Sequence, residues 1–300
     1  MEPESDYEAI VIGAGMAGMT AALWLGRFRR RTLLLSAGPS RNAAAHALHG
    51  YPGFDGAPPS RLMDALGHEL TQYPSVTRAE GRVDTAAQDG ERFCVSVGRR
   101  EYTASRILLA TGIRDIKPEL PEFDVYEGVS IWHCPACDGH EYADKKLAIL
   151  GSGAHLGGYV RELIPYTDQL SVITNGSEMQ IPEDDRNALQ RNGIPLHTQP
   201  VHRLHGQAGL LEAIELDDGT TVEVDAIFFS LGHAPRTELL EQLGCEVGED
   251  GVIMNRRQET TVSGVYAAGD IAPLEELLVV TAAMGAVAAN NLHQSLDPGW

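Results

Sequence analysis

Two stretches of the chain, about 140 residues apart, repeat the same order of apolar and polar positions. In each, a short apolar run precedes a glycine-rich turn, an apolar helical stretch and a second apolar run. The first copy extends from Tyr7 to Leu35 and the second from Lys146 to Thr174. Strand, turn, helix and strand in this order form a right-handed βαβ unit. Two copies predict two related nucleotide-binding domains.

The order of these patterns predicts that one domain interrupts the other. Paired strands are predicted at Phe93–Val97 and Tyr102–Leu108, and residues 118–128 are predicted to be a linker. A length of 300 residues is sufficient for two domains. We therefore predict an α/β fold of two Rossmann-like, three-layer domains. The first comprises residues 1–116 and 235–300, and the second, residues 119–232, is inserted into it.

The charge balance excludes several classes of partner. Aspartate and glutamate total 42 against 23 lysines and arginines, a net charge of −19. Nucleic acid requires a basic surface, and an anionic membrane is disfavoured for the same reason.

The first eight residues are acidic where a signal peptide would be basic. The apolar run Leu277–Ala289 is too short to cross a hydrocarbon layer of about 30 Å. We therefore expect a cytoplasmic protein with no membrane segment.

The first glycine turn, Gly13–Gly18, has the spacing of a dinucleotide-binding turn. Gly13 allows a tight turn, Gly15 lets a pyrophosphate approach the backbone, and Gly18 lets the helix pack on the strand. Met16 and Ala17 lie within this turn, just before the predicted apolar helix Met19–Leu25, and the free N–H groups at a helix N-terminus attract phosphate. Since the turn follows a strand and opens a helix, it predicts dinucleotide binding.

The strand after this turn lacks the acidic residue that holds the ribose of NAD. It ends in Ser36 and Ala37, so a hydroxyl or the backbone would hold the ribose, which disfavours NAD and leaves FAD open. Near the C-terminus, Asp270 could accept a hydrogen bond from a ribityl hydroxyl. Two further segments belong with the first glycine turn. They are Ala110-Thr111-Gly112 and the pair Gly269 and Asp270. Together the three segments resemble flavoproteins with two dinucleotide-binding domains.

A cysteine motif narrows the resemblance. Cys134-Pro135-Ala136-Cys137-Asp138 precedes the first strand of the second domain. This placement resembles the low-molecular-weight thioredoxin reductases, and the resemblance extends from Ala9 to about Ala289. It implies that residues 119–232 are a pyridine-nucleotide-type domain that carries the redox pair, and that the other domain binds FAD tightly.

The resemblance also implies the roles of individual residues and partners. Cys137 would face the flavin, and Cys134 would exchange with the substrate. Asp138 would supply or remove a proton, as general acid–base chemistry requires. The implied partner is a thioredoxin-like protein or a small dithiol or disulfide, and the implied assembly is a homodimer.

Further residues are expected at the flavin by the same resemblance. The irregular stretch after the second strand would wrap the flavin ring, although a polar surface loop is an equal alternative for each residue. If the nicotinamide site is unused, the terminal indole could stack on the ring, with a frayed terminus as the alternative. The residues concerned are Arg41, Asn42, His49, Val83, Val280 and Trp300.

Zinc is an alternative use of the same cysteines. His133, Cys134, Cys137 and His140 are four candidate ligands within eight residues. Zinc sites usually join two separated arms, and the sequence has no second CxxC or HxxxH arm. We therefore predict redox chemistry and no metal.

Three features depart from NADPH-dependent reductases. The segment Thr174–Gln180 has no arginine or lysine to pair with a 2′-phosphate. In the second glycine turn, Gly151–Leu156, the sixth position is leucine, which would crowd a pyrophosphate or push the helix outward. The Arg-Gln pair usual after Gly-Asp is replaced by Leu277–Val280. The segment Leu277–Val280 resembles the branch of this family that includes dithiol oxidases and reductases without pyridine-nucleotide binding.

These observations predict an FAD-dependent disulfide oxidoreductase in which electrons pass between FAD, the Cys134/Cys137 pair and an external dithiol or disulfide such as thioredoxin. NADPH is not expected as the usual donor, and reduced ferredoxin is a candidate. One alternative is a dithiol oxidase that uses O2. Another is a non-enzymatic flavin redox sensor.

Overall fold

The computed structural model describes residues 6–297, which form two compact units. The first unit contains residues 6–43, 50–114 and 234–297, and the second contains residues 44–49 and 115–233. The chain thus leaves the first unit after residue 114 and returns to it at residue 234. The short segment 44–49 belongs to the second unit although it lies early in the sequence.

Strands and helices are numbered in chain order. The strands are β1 (Asp6–Ile12), β2 (Thr32–Ser36), β3 (Val76–Glu80), β4 (Thr85–Asp89), β5 (Arg92–Val97), β6 (Arg100–Leu109), β7 (Ile113–Asp115), β8 (Ile131–Trp132), β9 (Leu147–Leu150), β10 (Leu170–Ile173), β11 (Leu196–His197), β12 (Val201–Gln207), β13 (Leu210–Leu216), β14 (Thr221–Glu223), β15 (Ala226–Phe229), β16 (His233–Pro235), β17 (Val247–Gly248), β18 (Gly251–Val252) and β19 (Val265–Ala267). The helices are α1 (Met16–Arg27), α2 (Pro59–Leu70), α3 (Phe123–Tyr126), α4 (Pro135–Asp138), α5 (Leu156–Leu163), α6 (Glu183–Arg191), α7 (Glu238–Gln242) and α8 (Leu278–Ser295).

The first unit is built on a seven-stranded sheet in the order β3-β2-β1-β6-β5-β4, with β19 also paired to β6. Strands β3, β2, β1, β6 and β19 are parallel, whereas β4 and β5 add an antiparallel edge. The buried segments Ala9–Ile12 of β1 and Leu33–Leu35 of β2 are apolar without alternation, as expected where helices cover both faces of a parallel sheet. Helices α1 and α8 pack closely, since a Cβ on Gly285 would lie 2.2 Å from the carbonyl oxygen of Ala17.

The second unit contains a five-stranded parallel sheet in the order β11-β10-β9-β15-β8 and a separate three-stranded sheet, β12-β13-β14. Every residue of β9, β10 and β15 is buried, so the centre of the parallel sheet forms the core. Strand β8 has two residues and lies at the edge, directly before the cysteine motif. The pairing of β8 with β15 therefore determines where that motif begins.

Both βαβ patterns and the β5–β6 hairpin are present as the sequence predicts. Several elements differ from the prediction, among them the predicted linker, strand β3 and the unpredicted sheet β12-β13-β14. The linker predicted at residues 118–128 contains α3, and Leu120, Phe123 and Tyr126 lie buried in a core of the second unit. Phe123 and Tyr126 lie on this single helical turn, whereas Leu120 precedes it, and a helix of one turn is too short to give a periodic pattern. Strand β3 was not predicted because an exposed edge strand needs no apolar run.

Among residues 6–297, no helix combines the length and the apolar character needed to cross a bilayer.

Candidate active site

The first glycine turn connects β1 to α1 in the conformation that a dinucleotide-binding turn requires. Gly13 has a φ of +108°, which favours glycine, and its N–H donates to the carbonyl of Leu35 at 2.9 Å. A Cβ on Gly18 would lie 1.7 Å from the carbonyl oxygen of Gly13. A larger residue at either position would therefore separate the helix from the strand.

Gly15, in contrast, faces open space. A Cβ built on Gly15 meets no atom within 4 Å, and its φ of −73° is open to any residue. Helix α1 begins at Met16 with no acidic residue in its first turn and no side-chain cap on its amides. The free N–H groups and the helix dipole favour an anion at this place. The turn therefore fits the pyrophosphate of FAD.

Other strand ends of the first unit meet at this turn. A Cβ on Gly13 would lie 2.2 Å from the carbonyl oxygen of Ala110, which follows β6. Gly269, which follows β19 with a φ of +84°, lies close to Ala17, since its Cβ would be 3.0 Å from that of Ala17. The three sequence segments predicted to bind FAD thus converge at the carboxyl ends of parallel strands, where α/β folds bind ligands.

Asp270 is held by a small polar network. One carboxylate oxygen accepts a hydrogen bond from Thr281 Oγ1 at 2.9 Å, and the other lies 3.3 Å from Arg41 Nη1. Arg41 also forms an ion pair with Glu276. The sequence predicted Arg41 and Asp270 separately, and the structure brings them together. Glu276 and Thr281 were missed because neither belongs to a recognisable motif.

The remaining sequence-predicted residues occupy diverse positions. Ser36 ends β2 and Ala37 follows it. Asn42 accepts a hydrogen bond from the Ser40 hydroxyl, and Val83 is buried in the segment that connects β3 to β4. Val280 packs from α8 against the core of the first unit, and Trp300 lies outside the described residues. The pair Thr111 and Gly112 binds the backbone of Arg236.

The cysteine motif forms the short helix α4. Cys134 and Cys137 are joined by a disulfide, and Cys134 precedes the first residue of α4. Pro135 at the first helical position has no N–H to satisfy. The Sγ of Cys134 accepts a hydrogen bond from the backbone N–H of Cys137 at 3.1 Å. This bond would stabilise a thiolate at Cys134 once the disulfide is reduced.

Asp138, next to Cys137, lies in an environment that favours its protonated form. Burial raises the pKa of its carboxyl to about 7, an effect that Glu141 adds to and His49 opposes. The carboxyl faces a cavity of about 310 Å³, whose other lining residues are His46, Ala47, His49, Trp132, Glu141 and Tyr142. A carboxyl with a pKa near neutrality can both donate and accept a proton at physiological pH.

His49 lies in this cavity as part of the second unit. Its Nδ1 is 3.5 Å from Glu141 Oε1. The sequence predicted His49 as a flavin contact and could not show its proximity to Glu141 and Asp138, because the residues are about ninety positions apart.

The second glycine turn differs from the first in where its helix begins. Helix α1 begins three residues after Gly13, whereas α5 begins five residues after Gly151. Leu156, the first residue of α5, is fully buried against the apolar core of the sheet. The prediction that Leu156 crowds a pyrophosphate is therefore wrong, because its side chain points into the core.

Other parts of the chain contact this second turn at Ser152 and at the start of α5. The N–H of Gln180 donates to the carbonyl of Ser152 at 2.7 Å. The carboxylate of Asp185, from α6, lies against Gly157 in the first turn of α5, where a Cβ would be 2.2 Å from its Oδ2. Asp185 also pairs with Arg161 at 2.9 Å. A negative charge therefore already lies near the helix start where a phosphate would bind.

Comparison with known proteins identifies the family. The model of the family described as pyridine nucleotide-disulphide oxidoreductase matches residues 7–288. The chain is 27% identical to the thioredoxin reductase of Bacillus subtilis, over 99% of this chain and 97% of that protein. It is 28% identical to thioredoxin reductase sirT of Leptosphaeria maculans, over 91% of this chain and 90% of that protein.

Solved structures agree in fold. The crystal structure of HlmI superposes with a TM-score of 0.92 at 34% identity, covering 99% of this chain and 95% of that one. A putative thioredoxin reductase TrxB of Bacillus anthracis gives a TM-score of 0.90 at 28% identity, covering 97% and 99%. The predicted fold of two Rossmann-like domains and the predicted FAD cofactor are thereby confirmed. The chain belongs to the pyridine nucleotide-disulphide oxidoreductase family, as an FAD-dependent disulfide oxidoreductase resembling the low-molecular-weight thioredoxin reductases.

Proposed function

We propose that this protein exchanges two electrons between FAD and an external dithiol or disulfide through Cys134 and Cys137, without drawing electrons from NADPH at the second glycine turn. The observation that carries the proposal is the pair of contacts at the second turn, with the backbone of Gln180 hydrogen-bonded to Ser152 and the Asp185 carboxylate against Gly157. The segment Thr174–Gln180 adds no cation for a 2′-phosphate.

The expected effect on NADPH affinity is large. Charged hydrogen bonds to a phosphate contribute about 1.5–3 kcal/mol each. Each missing contact therefore lowers affinity about tenfold or more. The Asp185 carboxylate adds repulsion at the place where the pyrophosphate would bind.

The first unit supplies the flavin site in this proposal. Gly13, Gly15 and Gly18 would hold the pyrophosphate at the start of α1, and Asp270 would accept a hydrogen bond from a ribityl hydroxyl. Arg41, beside Asp270, provides a cation for the same ligand. When bound, FAD supplies a two-electron carrier that couples the dithiol to a second redox partner.

The cysteine pair performs the exchange with substrate. A substrate thiolate attacks Cys134 Sγ, breaks the bond to Cys137 and forms a mixed disulfide. The second substrate thiolate then attacks the substrate sulfur of the mixed disulfide and releases Cys134 as a thiolate. The substrate leaves as a disulfide and the enzyme holds a dithiol, so two electrons have moved. Asp138 takes or returns a proton beside Cys137.

The partner is proposed from chemistry and from the relatives. Several relatives are named thioredoxin reductases, which supports a thioredoxin-like protein as the partner, and a small dithiol or disulfide uses the same sulfur chemistry. Reduced ferredoxin is the proposed alternative donor. The homodimer implied by the resemblance stays a prediction.

A dithiol oxidase is the second candidate function. The contacts that Gln180 and Asp185 make at the second glycine turn favour it. Without a pyridine-nucleotide donor, a substrate dithiol can itself supply the electrons, and O2 can accept them. Catalytic oxygen consumption with a dithiol would indicate this function. Oxidation of a single equivalent of dithiol would instead indicate a flavin redox sensor.

Anaerobic titration of the holoenzyme tests the proposal. Flavin absorbance is followed while NADPH, NADH, reduced ferredoxin and dithiothreitol are added in separate runs. We expect dithiothreitol to bleach the flavin of the wild type, and not that of Cys137→Ser. Rapid bleaching by micromolar NADPH would show that the second turn binds the nucleotide and would overturn the proposal.

A further inference from the structure

The hydroxyl of Tyr159 joins two strand ends beside the cysteine motif. Tyr159 lies on α5, and its Oη is 2.8 Å from the carbonyl oxygen of His133 and 3.0 Å from that of Phe229. Phe229 is the last residue of β15, and His133 follows β8 directly. One hydroxyl proton is therefore shared between carbonyls at the ends of two paired parallel strands.

This contact lies beside a short edge strand. Strand β8 has two residues and lies at the edge of its sheet, so few ladder hydrogen bonds hold it. The next residue after His133 is Cys134, whose Sγ accepts the hydrogen bond from Cys137 N–H. A change in the His133 backbone would therefore change the position of Cys134 at the start of α4.

The hydroxyl of Tyr159 remains a donor across the physiological range. Burial raises its pKa well above the ordinary value of 10.0, and the charges of Glu162, Asp138 and Asp115 act in the same direction. The proton is therefore retained at every pH at which the enzyme would work. The ring also packs against the apolar core of the second unit, which fixes the hydroxyl in place.

We propose that Tyr159 is a positioning residue for the redox-active disulfide. By holding the His133 carbonyl, it keeps Cys134 where the Cys137 N–H can stabilise the Cys134 thiolate. Helix α5, whose first turn lies against the Asp185 carboxylate, thus serves the cysteine pair. The inference rests on dithiol exchange at this pair, and it does not depend on which donor or acceptor the flavin uses.

Tyr159→Phe tests the inference, because it removes the hydroxyl and keeps the ring. In the reduced holoenzyme, the pH dependence of iodoacetamide alkylation reports the thiol pKa of Cys134. Equilibration in dithiothreitol redox buffers reports the stability of the disulfide. Tyr166→Phe is the matched control, since the ring of Tyr166 packs against Gly139 of the adjoining turn.

We expect Tyr159→Phe to raise the thiol pKa of Cys134 and to lower its alkylation rate at pH 7 by roughly fivefold to tenfold, the effect of one lost hydrogen bond. Because a less stable thiolate disfavours the dithiol, the equilibrium should move toward the disulfide by up to about tenfold, or about 30 mV. Tyr166→Phe should match the wild type. An unchanged profile in folded Tyr159→Phe, or an equal change in Tyr166→Phe, would overturn the proposal.

A second measurement keeps the hydroxyl, in case Tyr159→Phe does not fold. Replacement of Tyr159 by 3-fluorotyrosine makes the hydroxyl a stronger donor with little change in size. The thiol pKa of Cys134 should then stay or fall, and a rise would overturn the role of the hydroxyl. Dithiol exchange by Cys134→Ser and Cys137→Ser is measured separately. Failure of the proposed function can therefore be distinguished from failure of the role proposed for Tyr159.

Discussion

The titration of Asp138 links the geometry of the cysteine motif to a measurable rate. Burial is the main cause that raises the pKa of Asp138 from its ordinary value of 3.8 to about 7. Glu141 raises this pKa further, and His49 lowers it. Replacing Asp138 by asparagine keeps the shape of the side chain and removes the titratable proton.

The cost of ionising Asp138 can be worked from this pKa. Each tenfold change corresponds to about 1.4 kcal/mol, so a pKa near 7 corresponds to about 4 kcal/mol of penalty for the charged form. The folded state holds the proton more tightly than the unfolded state. The contribution of Asp138 to stability is therefore greatest below pH 3.8, falls as pH rises to about 7, and is constant above it. Asp138→Asn should lose this slope and be the more stable protein at pH 8.

The assay is single-turnover reduction of the bound flavin by excess dithiothreitol, measured anaerobically between pH 5 and 9. We expect its rate to depend on the protonation state of Asp138. In this direction Asp138 acts as a base, so the wild-type rate should rise with a midpoint near pH 7. In Asp138→Asn the rate of flavin reduction should no longer rise with this midpoint, and it should be about a hundredfold lower, a typical loss for general acid–base catalysis. Superimposable profiles for the two proteins would refute the reasoning.

Glu141→Gln is the control for the electrostatic argument. It removes a negative charge near Asp138 and leaves the carboxyl in place, so the midpoint should move below that of the wild type. A midpoint that moved upward would show that Glu141 does not act on Asp138 as the structure indicates.

The structure makes three further predictions. Gly15→Val should fold and lose FAD, because the added methyl groups would enter the open space proposed to hold the pyrophosphate. Release of a full equivalent of FAD from the denatured variant would contradict this prediction. Cys137→Ser should retain FAD and lose dithiol exchange, and unchanged turnover in both Cys134→Ser and Cys137→Ser would exclude the pair from the reaction. Gly157→Ala should destabilise the protein by about 1–3 kcal/mol through its clash with a carboxylate, whereas Gly158→Ala, with 3.9 Å of clearance, should melt no lower than the wild type; equal melting temperatures would contradict the packing.

The first glycine turn was predictable because its requirements are local. A positive φ at Gly13 and a close approach at Gly18 depend on residues within one turn and the adjoining strand. The same applies to Cys134 and Cys137, whose separation of three residues permits a disulfide. Short-range patterns of this kind specify both the conformation and the chemistry.

The second glycine turn shows where local reasoning fails. Its sequence resembles the first turn, and Leu156 was the only visible obstacle to a pyrophosphate. In the structure Leu156 packs into the core, and the carboxylate near the helix start comes from Asp185, on another helix. The position of Asp185 depends on how α6 packs against α5. No pattern within either helix specifies that contact.

Tyr159 is intermediate between the first and second glycine turns in how far its contacts could be predicted from the sequence. A tyrosine on a helix whose other inward residues are apolar indicates a hydroxyl that needs a partner, because buried phenols form hydrogen bonds. The sequence could therefore have identified Tyr159 as a donor. It could not have identified the acceptors, because the carbonyls of His133 and Phe229 are brought together only by the pairing of β8 with β15. The donor is thus a property of the sequence, and its proximity to the disulfide is a property of the sheet.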